Sequence, residues 1–126
     1  MNKPTLLIML SFSALLFACG GGKEKGTVSS PPADDLIKKG ELLVNASDCK
    51  TCHHQVNKII GPSHLDVAKK YEFTQANVKL LAERIIKGGS GVWGDVPMTP
   101  HPDLPAADAE NMARYVLSLD GEAEKQ

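Results

Sequence analysis

No stretch of this sequence is apolar for the roughly 20 residues that a bilayer-spanning helix needs. The one mostly apolar run, Thr5 to Ala18, stops short of that. A surplus of charge is missing too: 14 Lys and Arg face 15 Asp and Glu, a formal net charge of −1. Lysines scattered among carboxylates leave no electrostatic footprint for nucleic acid. Strand-like alternation is nowhere sustained, and no internal repeat is visible. At 126 residues the chain also lacks the length for a barrel or a doubly wound sheet. One small domain is what remains, and its chemistry must lie in motifs.

The chain begins as an export signal does. Lys3 supplies a short positive region and Thr5 to Ala18 an apolar core, so residues 1–18 read as a signal peptide. Leu16-Phe17-Ala18-Cys19 resembles a bacterial lipobox, which implies that Cys19 becomes the mature N-terminus and carries lipid on its sulfur. Ordinary secretion with a leftover thiol is the alternative, because an unpaired Cys in an exported protein needs some account. From Gly20 to Ala33 the chain is rich in Gly, Ser and Pro with no apolar pattern, so 19–33 reads as lipidated Cys plus flexible linker. Residues 34–120 are left as the domain, a size at which a core of side chains alone is marginal. Something else is expected to fill the middle.

Helical spacing recurs through that domain, so it reads as all-α. A first helix starts near Asp34, with Leu36, Ile37, Gly40, Leu43 and Val44 along one stripe. Gly40 in mid-helix costs about 1 kcal/mol against Ala, which points to close packing by another backbone or ring. A short helix is expected over Leu65 to Tyr71 and another over Asn77 to Lys87, stopped by Gly88-Gly89. Gly88 to Leu104 is a Gly- and Pro-rich loop, long enough to count against a compact domain unless it is functional. A last helix begins near Pro105, carries Met112, Tyr115, Val116 and Leu119 as its stripe, and ends at Gly121. Residues 121–126 are expected to be a frayed tail.

Cys49 and Cys52 stand in Cys49-Lys50-Thr51-Cys52-His53, the C-x-x-C-H spacing of c-type haem attachment. Two thiols two residues apart reach the two vinyl groups of one haem as thioethers, and the adjacent His53 lies where an imidazole nitrogen meets iron. Three other readings compete. Structural zinc needs four ligands, and His64 and His101 give no finger-like spacing. A thioredoxin-like pair needs a strand before the motif, and none is patterned there. A disulfide here would close too small a loop to stabilise much.

From about Leu36 to Leu119 the domain resembles the short bacterial class I cytochromes c, small monohaem electron carriers. The landmarks are CKTCH at 49–53, Gly61-Pro62, the run AERIIKGGSGVWGDVPM at 82–98, and a closing helix with Met112 and Tyr115. The resemblance implies helices packed around one covalently attached haem, with the N- and C-terminal helices crossing. Gly40 and Tyr115 sit where that crossing places a small residue beside a ring.

For the other axial position the methionines are weighed in turn. Met1 and Met9 leave with the signal, and Met112 belongs to a helix stripe and reads as packing. Met98 lies in a loop between Pro97 and Pro100, where no period asks for an apolar residue. A thioether is a soft neutral ligand suited to haem iron, and the family resemblance also places the distal ligand at Met98. Resemblance and chemistry together assign Pro62 as the carbonyl acceptor for His53 Nδ1, and Arg84 and the Trp93 indole as donors to the haem propionates. His54 and His64 read as surface or helix-cap residues. His101 is expected either to support the methionine sulfur, as an Asn near there does in family members, or to be exposed.

The function implied is electron transfer, with no enzymatic reaction. One haem c with His53 and Met98 as ligands would carry single electrons between a redox donor and acceptor at the periplasmic face of a bacterial membrane. Cys19 would be the lipid anchor and the protein a monomer; a soluble periplasmic carrier is the alternative. A haem-binding sensor, or an accessory domain of a larger oxidase or reductase complex, also stays open.

Overall fold

The computed structural model describes residues 31–125. The signal segment, Cys19 and the linker up to Ser30 lie outside the described residues. Four α-helices follow one another: α1 (Ala33–Ala46), α2 (His64–Lys70), α3 (Gln75–Lys87) and α4 (Ala106–Leu117). One-turn 3₁₀ segments occupy Asp48–Thr51 and Ser118–Asp120. Among the described residues the only β-type pairings are two isolated bridges, Thr74 with Lys125 and Gly89 with Met98. The all-α expectation therefore holds.

Local chemistry explains where the helices start and stop. Asp34 and Asp35 occupy the first turn of α1, where negative charge suits the helix dipole. Ser63 caps α2 by accepting from the Asp66 amide, and Thr74 caps α3 by accepting from the Asn77 amide. Both caps lie upstream of the starts expected from apolar spacing, because a polar first turn carries no apolar signal. Gly88, at φ +68°, ends α3.

α4 packs against α1, α3 and α2. Its inner face contributes Ala113, Val116 and Leu117 to a core completed by Val67, Phe73, Val78 and Leu81. At the crossing of α1 and α4, a Cβ on Gly40 would lie 1.9 Å from the Asn111 carbonyl oxygen and 3.0 Å from Tyr115 Cβ. The glycine is thus required by backbone-to-backbone approach.

The tail differs from expectation. Arg114, only 8% exposed, lies on the inner side of α4 and needs carboxylates close by. Glu110 from its own helix lies 3.6 Å away and Glu124 from the tail 3.2 Å, while its other nitrogen donates to Gln75 Oε1 at 2.7 Å. The Lys125 amide then donates to the Phe73 carbonyl, and its ammonium pairs with Glu72 at 2.7 Å. Residues up to Lys125 are strapped onto the corner between α2 and α3 rather than frayed.

Candidate functional site

The C-x-x-C-H segment follows α1 as a 3₁₀ turn. Amides of Cys52 and His53 both donate to the Cys49 carbonyl, which winds the two cysteines into one tight turn. Both thiols are half-buried and neither is in a disulfide. Ser47 Oγ lies 3.0 Å from Cys49 Sγ and 3.0 Å from the Val44 carbonyl. The chain then loops out and returns: Gly61 N–H donates to the Cys52 carbonyl, His64 N–H to His54, and Leu65 N–H to Gln55. His54 itself is exposed, and its Nδ1 accepts from the amides of Val56 and Asn57, so it closes this loop.

That return clamps the His53 ring. Its Nδ1 lies 2.8 Å from the Pro62 carbonyl oxygen, so Nδ1 carries the proton and Nε2 keeps its lone pair free. A Cβ on Gly61 would come within 2.4 Å of His53 Cε1, so no larger residue fits there without moving the ring. The His64 ring stacks on His53 with centroids 5.6 Å apart and planes at 20°. His64 is buried, which corrects the expectation of a surface or cap residue; the cap is its neighbour Ser63. Burial, with the adjacent His53 and His54 imidazoles adding to it, lowers the His64 pKa from 6.5 to about 4. It is therefore neutral at physiological pH.

A cavity of about 770 Å³ opens beside the motif. Cys49, Cys52 and His53 line it from the motif, Pro62 from the returning loop, Leu81, Arg84 and Ile85 from α3, Trp93 and Met98 from the long loop, and Met112 and Val116 from α4. The seven residues assigned to a cofactor from sequence thus share one chamber. The 88–104 loop is organised: Gly89 and Met98 exchange both backbone hydrogen bonds, at 3.3 and 2.8 Å, and Gly91 N–H donates to the Gly94 carbonyl. A Cβ on Gly88 would lie 2.4 Å from the Met98 carbonyl oxygen, so the end of α3 presses on the backbone of Met98.

Two side chains have partners that sequence did not indicate. Arg84 Nη1 donates to the Tyr71 hydroxyl at 2.6 Å, and the guanidinium lies 5.6 Å from the Tyr71 ring centroid. The Lys70 ammonium lies 5.1 Å from the centroid of the Trp93 ring, which is itself 37% exposed. His101 also differs from expectation. Its amide donates to the Ile85 and Ile86 carbonyls and so caps the end of α3. Its Nδ1 faces the Ile85 carbonyl at 3.2 Å and its Nε2 faces Asp48 at 3.3 Å. Each ring nitrogen thus has a partner of its own.

The donor set fits a haem. Two thiols lie in one turn, an imidazole is held by Nδ1 with Nε2 free, and a thioether lines the same mostly apolar chamber. The volume lies within the roughly 300–1,000 Å³ typical of cofactor sites.

Known proteins agree with this fit. The sequence model of the family described as cytochrome c matches residues 37–120. Cytochrome c-552 of Hydrogenobacter thermophilus is 44% identical over 79 residues, covering 63% of this chain and 80% of its own. Cytochrome c-551 of Pseudomonas aeruginosa is 37% identical over 116 residues, covering 92% of this chain and 97% of its own. The crystal structure of wild-type Nitrosomonas europaea cytochrome c552 aligns with a TM-score of 0.59 at 37% identity, over 63% of this chain and 98% of that one.

Proposed function

The chain belongs to the cytochrome c family and is an electron carrier with one covalently attached haem c, not an enzyme; from that premise we propose that His53 and Met98 are the axial ligands of its iron. Bound in the chamber, haem supplies a one-electron Fe(III)/Fe(II) couple. The chain's own residues set the conditions for it. Cys49 and Cys52 tether it through thioethers. The Pro62 carbonyl holds the Nδ1 proton of His53 and so strengthens the Nε2 donor. Leu81, Met112 and Val116 keep the chamber apolar. Arg84 and Trp93 are the donors for the propionates, with Tyr71 as the partner that steadies the guanidinium.

The observation that carries the Met98 reading is its backbone. Reciprocal bonds to Gly89 and the close approach of Gly88 fix a loop methionine on the wall of the chamber that also holds the C-x-x-C-H motif. Such fixing gives a sixth ligand that needs little reorganisation between the two redox states. Ferric spectra of Met98→Ala test it. Haem should stay attached, the weak sulfur-to-iron band at the red end should vanish, the potential should fall, and small ligands should bind. An unchanged spectrum refutes Met98 as ligand.

Redox partners dock where the chamber opens. Ile60, Val92, Trp93 and Val96 support this, being apolar residues that line it while remaining exposed. Cys19, outside the described residues, is proposed as the lipid-bearing N-terminus left by removal of residues 1–18, with 19–33 as tether and the carrier on the periplasmic face of a membrane. Among the described residues no helix is long and apolar enough to cross one. Mass spectrometry of the mature N-terminus tests the anchor, and a mature chain that does not begin with lipidated Cys19 overturns it.

A further inference from the structure

His64 has no part in the ligand set, yet it is a buried residue whose ring stacks on the proximal one. The residue is 8% exposed, and its imidazole lies nearly parallel to that of His53. A second cavity, of about 200 Å³, lies behind the pair and is bordered by Asn45, Lys50, Gln55 and Tyr115. His53 and His64, together with Val44, line both the haem chamber and this smaller cavity.

The hydrogen bond to Pro62 fixes one point on the His53 ring, but a single bond to one nitrogen leaves the ring able to rock about the line through that contact. A flat neighbour at stacking distance removes this freedom, because rocking drives ring atoms into the facing plane. His64 is well placed to do so. Its amide is bonded to the His54 carbonyl and its own helix starts at the Ser63 cap, so the backbone carrying the second ring is anchored to the segment carrying the first.

We infer that His64 is a positioning residue for the proximal ligand: its stacked ring sets the rotational orientation of the His53 imidazole about its bond to iron. The inference rests on His53 being an axial ligand. That premise is read separately, on the unmodified protein, from the low-spin ferric spectrum of an imidazole-ligated haem. The orientations of the two axial ligands together govern how unpaired spin spreads over the four haem ring methyls, so, with Met98 unchanged, proton NMR of the ferric holoprotein reports a change at His53.

Three measurements test the inference. In the reduced, diamagnetic holoprotein, nuclear Overhauser contacts between the ring protons of His53 and His64 are expected. Their absence overturns the stack without any mutation. In His64→Leu the spread of the ring-methyl shifts should contract or reorder. In His64→Phe, which keeps a flat ring but loses both nitrogens, the wild-type order should be retained. A Leu variant that reproduces the wild-type pattern, or Leu and Phe variants that change it alike, refutes positioning by the stack. A wild-type protein lacking the low-spin spectrum instead refutes the ligand assignment beneath it.

Discussion

Gly40→Ala sets two known effects against each other, and the structure decides the sign. Alanine is the better helix former by about 1 kcal/mol, so propensity alone makes the variant more stable. Against that, the new Cβ would lie 1.9 Å from the Asn111 carbonyl oxygen, 2.5 Å from its carbon and 3.0 Å from Tyr115 Cβ. Two of these are backbone atoms of a buried turn of α4, which cannot rotate aside as a side chain does; α1 and α4 must move apart. Overpacking of this kind costs about 1–3 kcal/mol and at times more, and a clash with main chain belongs at the upper end. The net expectation is destabilisation by about 1–2 kcal/mol, which for a domain of this size lowers the melting temperature by roughly 5–15 °C. Thermal unfolding of the ferric holoprotein, followed by far-ultraviolet circular dichroism, measures it. Lys38→Ala, an exposed change on the same helix, is the control and should be nearly neutral. A Gly40→Ala protein as stable as wild type, or more so, would mean that the two helices do not approach as described.

Gly61→Ala should act on the ligand before the fold, because its Cβ would lie 2.4 Å from His53 Cε1; the expected result is an altered ferric spectrum or failed haem attachment, checked by absorption and mass spectrometry. Arg114→Ala should cost about 2 kcal/mol by stranding Glu110, Glu124 and Gln75 around a buried position. Hydrogen exchange at the Lys125 amide should speed up in that variant, since the strap loses its anchor. The Tyr115 hydroxyl has its pKa raised above 10 by burial and then by Glu41. The unfolded chain therefore releases this proton first, and stability present below pH 10 should decline as pH rises beyond it. Tyr115→Phe should flatten that alkaline decline in denaturant melts, and an unchanged slope would remove Tyr115 as its source.

Much of the fold was legible because helices announce themselves by apolar spacing. Val78, Leu81 and Ala82 on α3, and Met112 and Val116 on α4, are buried as their period requires. The starts of α2 and α3 were not legible in that way, since their first turns are polar. Ser63-His64-Leu65-Asp66 did carry the signal in another form: a serine followed three residues later by an acid is a capping pattern, and it places His64 in the first turn. The strapped tail had no such signal. It is held by Lys125 and by an arginine, and apolar spacing counts an arginine as solvent-facing although Arg114 is buried.

The site divides along the same physical line. Residues whose place on the chamber wall goes with a fixed offset or a loop position were readable: Cys49, Cys52 and His53 by spacing, and Met98 by standing in a loop with no packing reason to be there. Residues whose role comes from what folds against them were not. Arg84, late in α3, meets Tyr71 at the end of α2 only through the way the two segments fold, and His101 meets Asp48 only because the long loop closes back toward the C-x-x-C-H turn. His64 is the sharpest case. Its stacking on His53 depends on the loop from His54 to Ser63 returning in register, which three backbone hydrogen bonds enforce. No property of the histidine itself distinguishes it from the exposed His54. Spacing shows what the chain can bind, while the orientation of the ligand that binds it is set by contacts between distant segments.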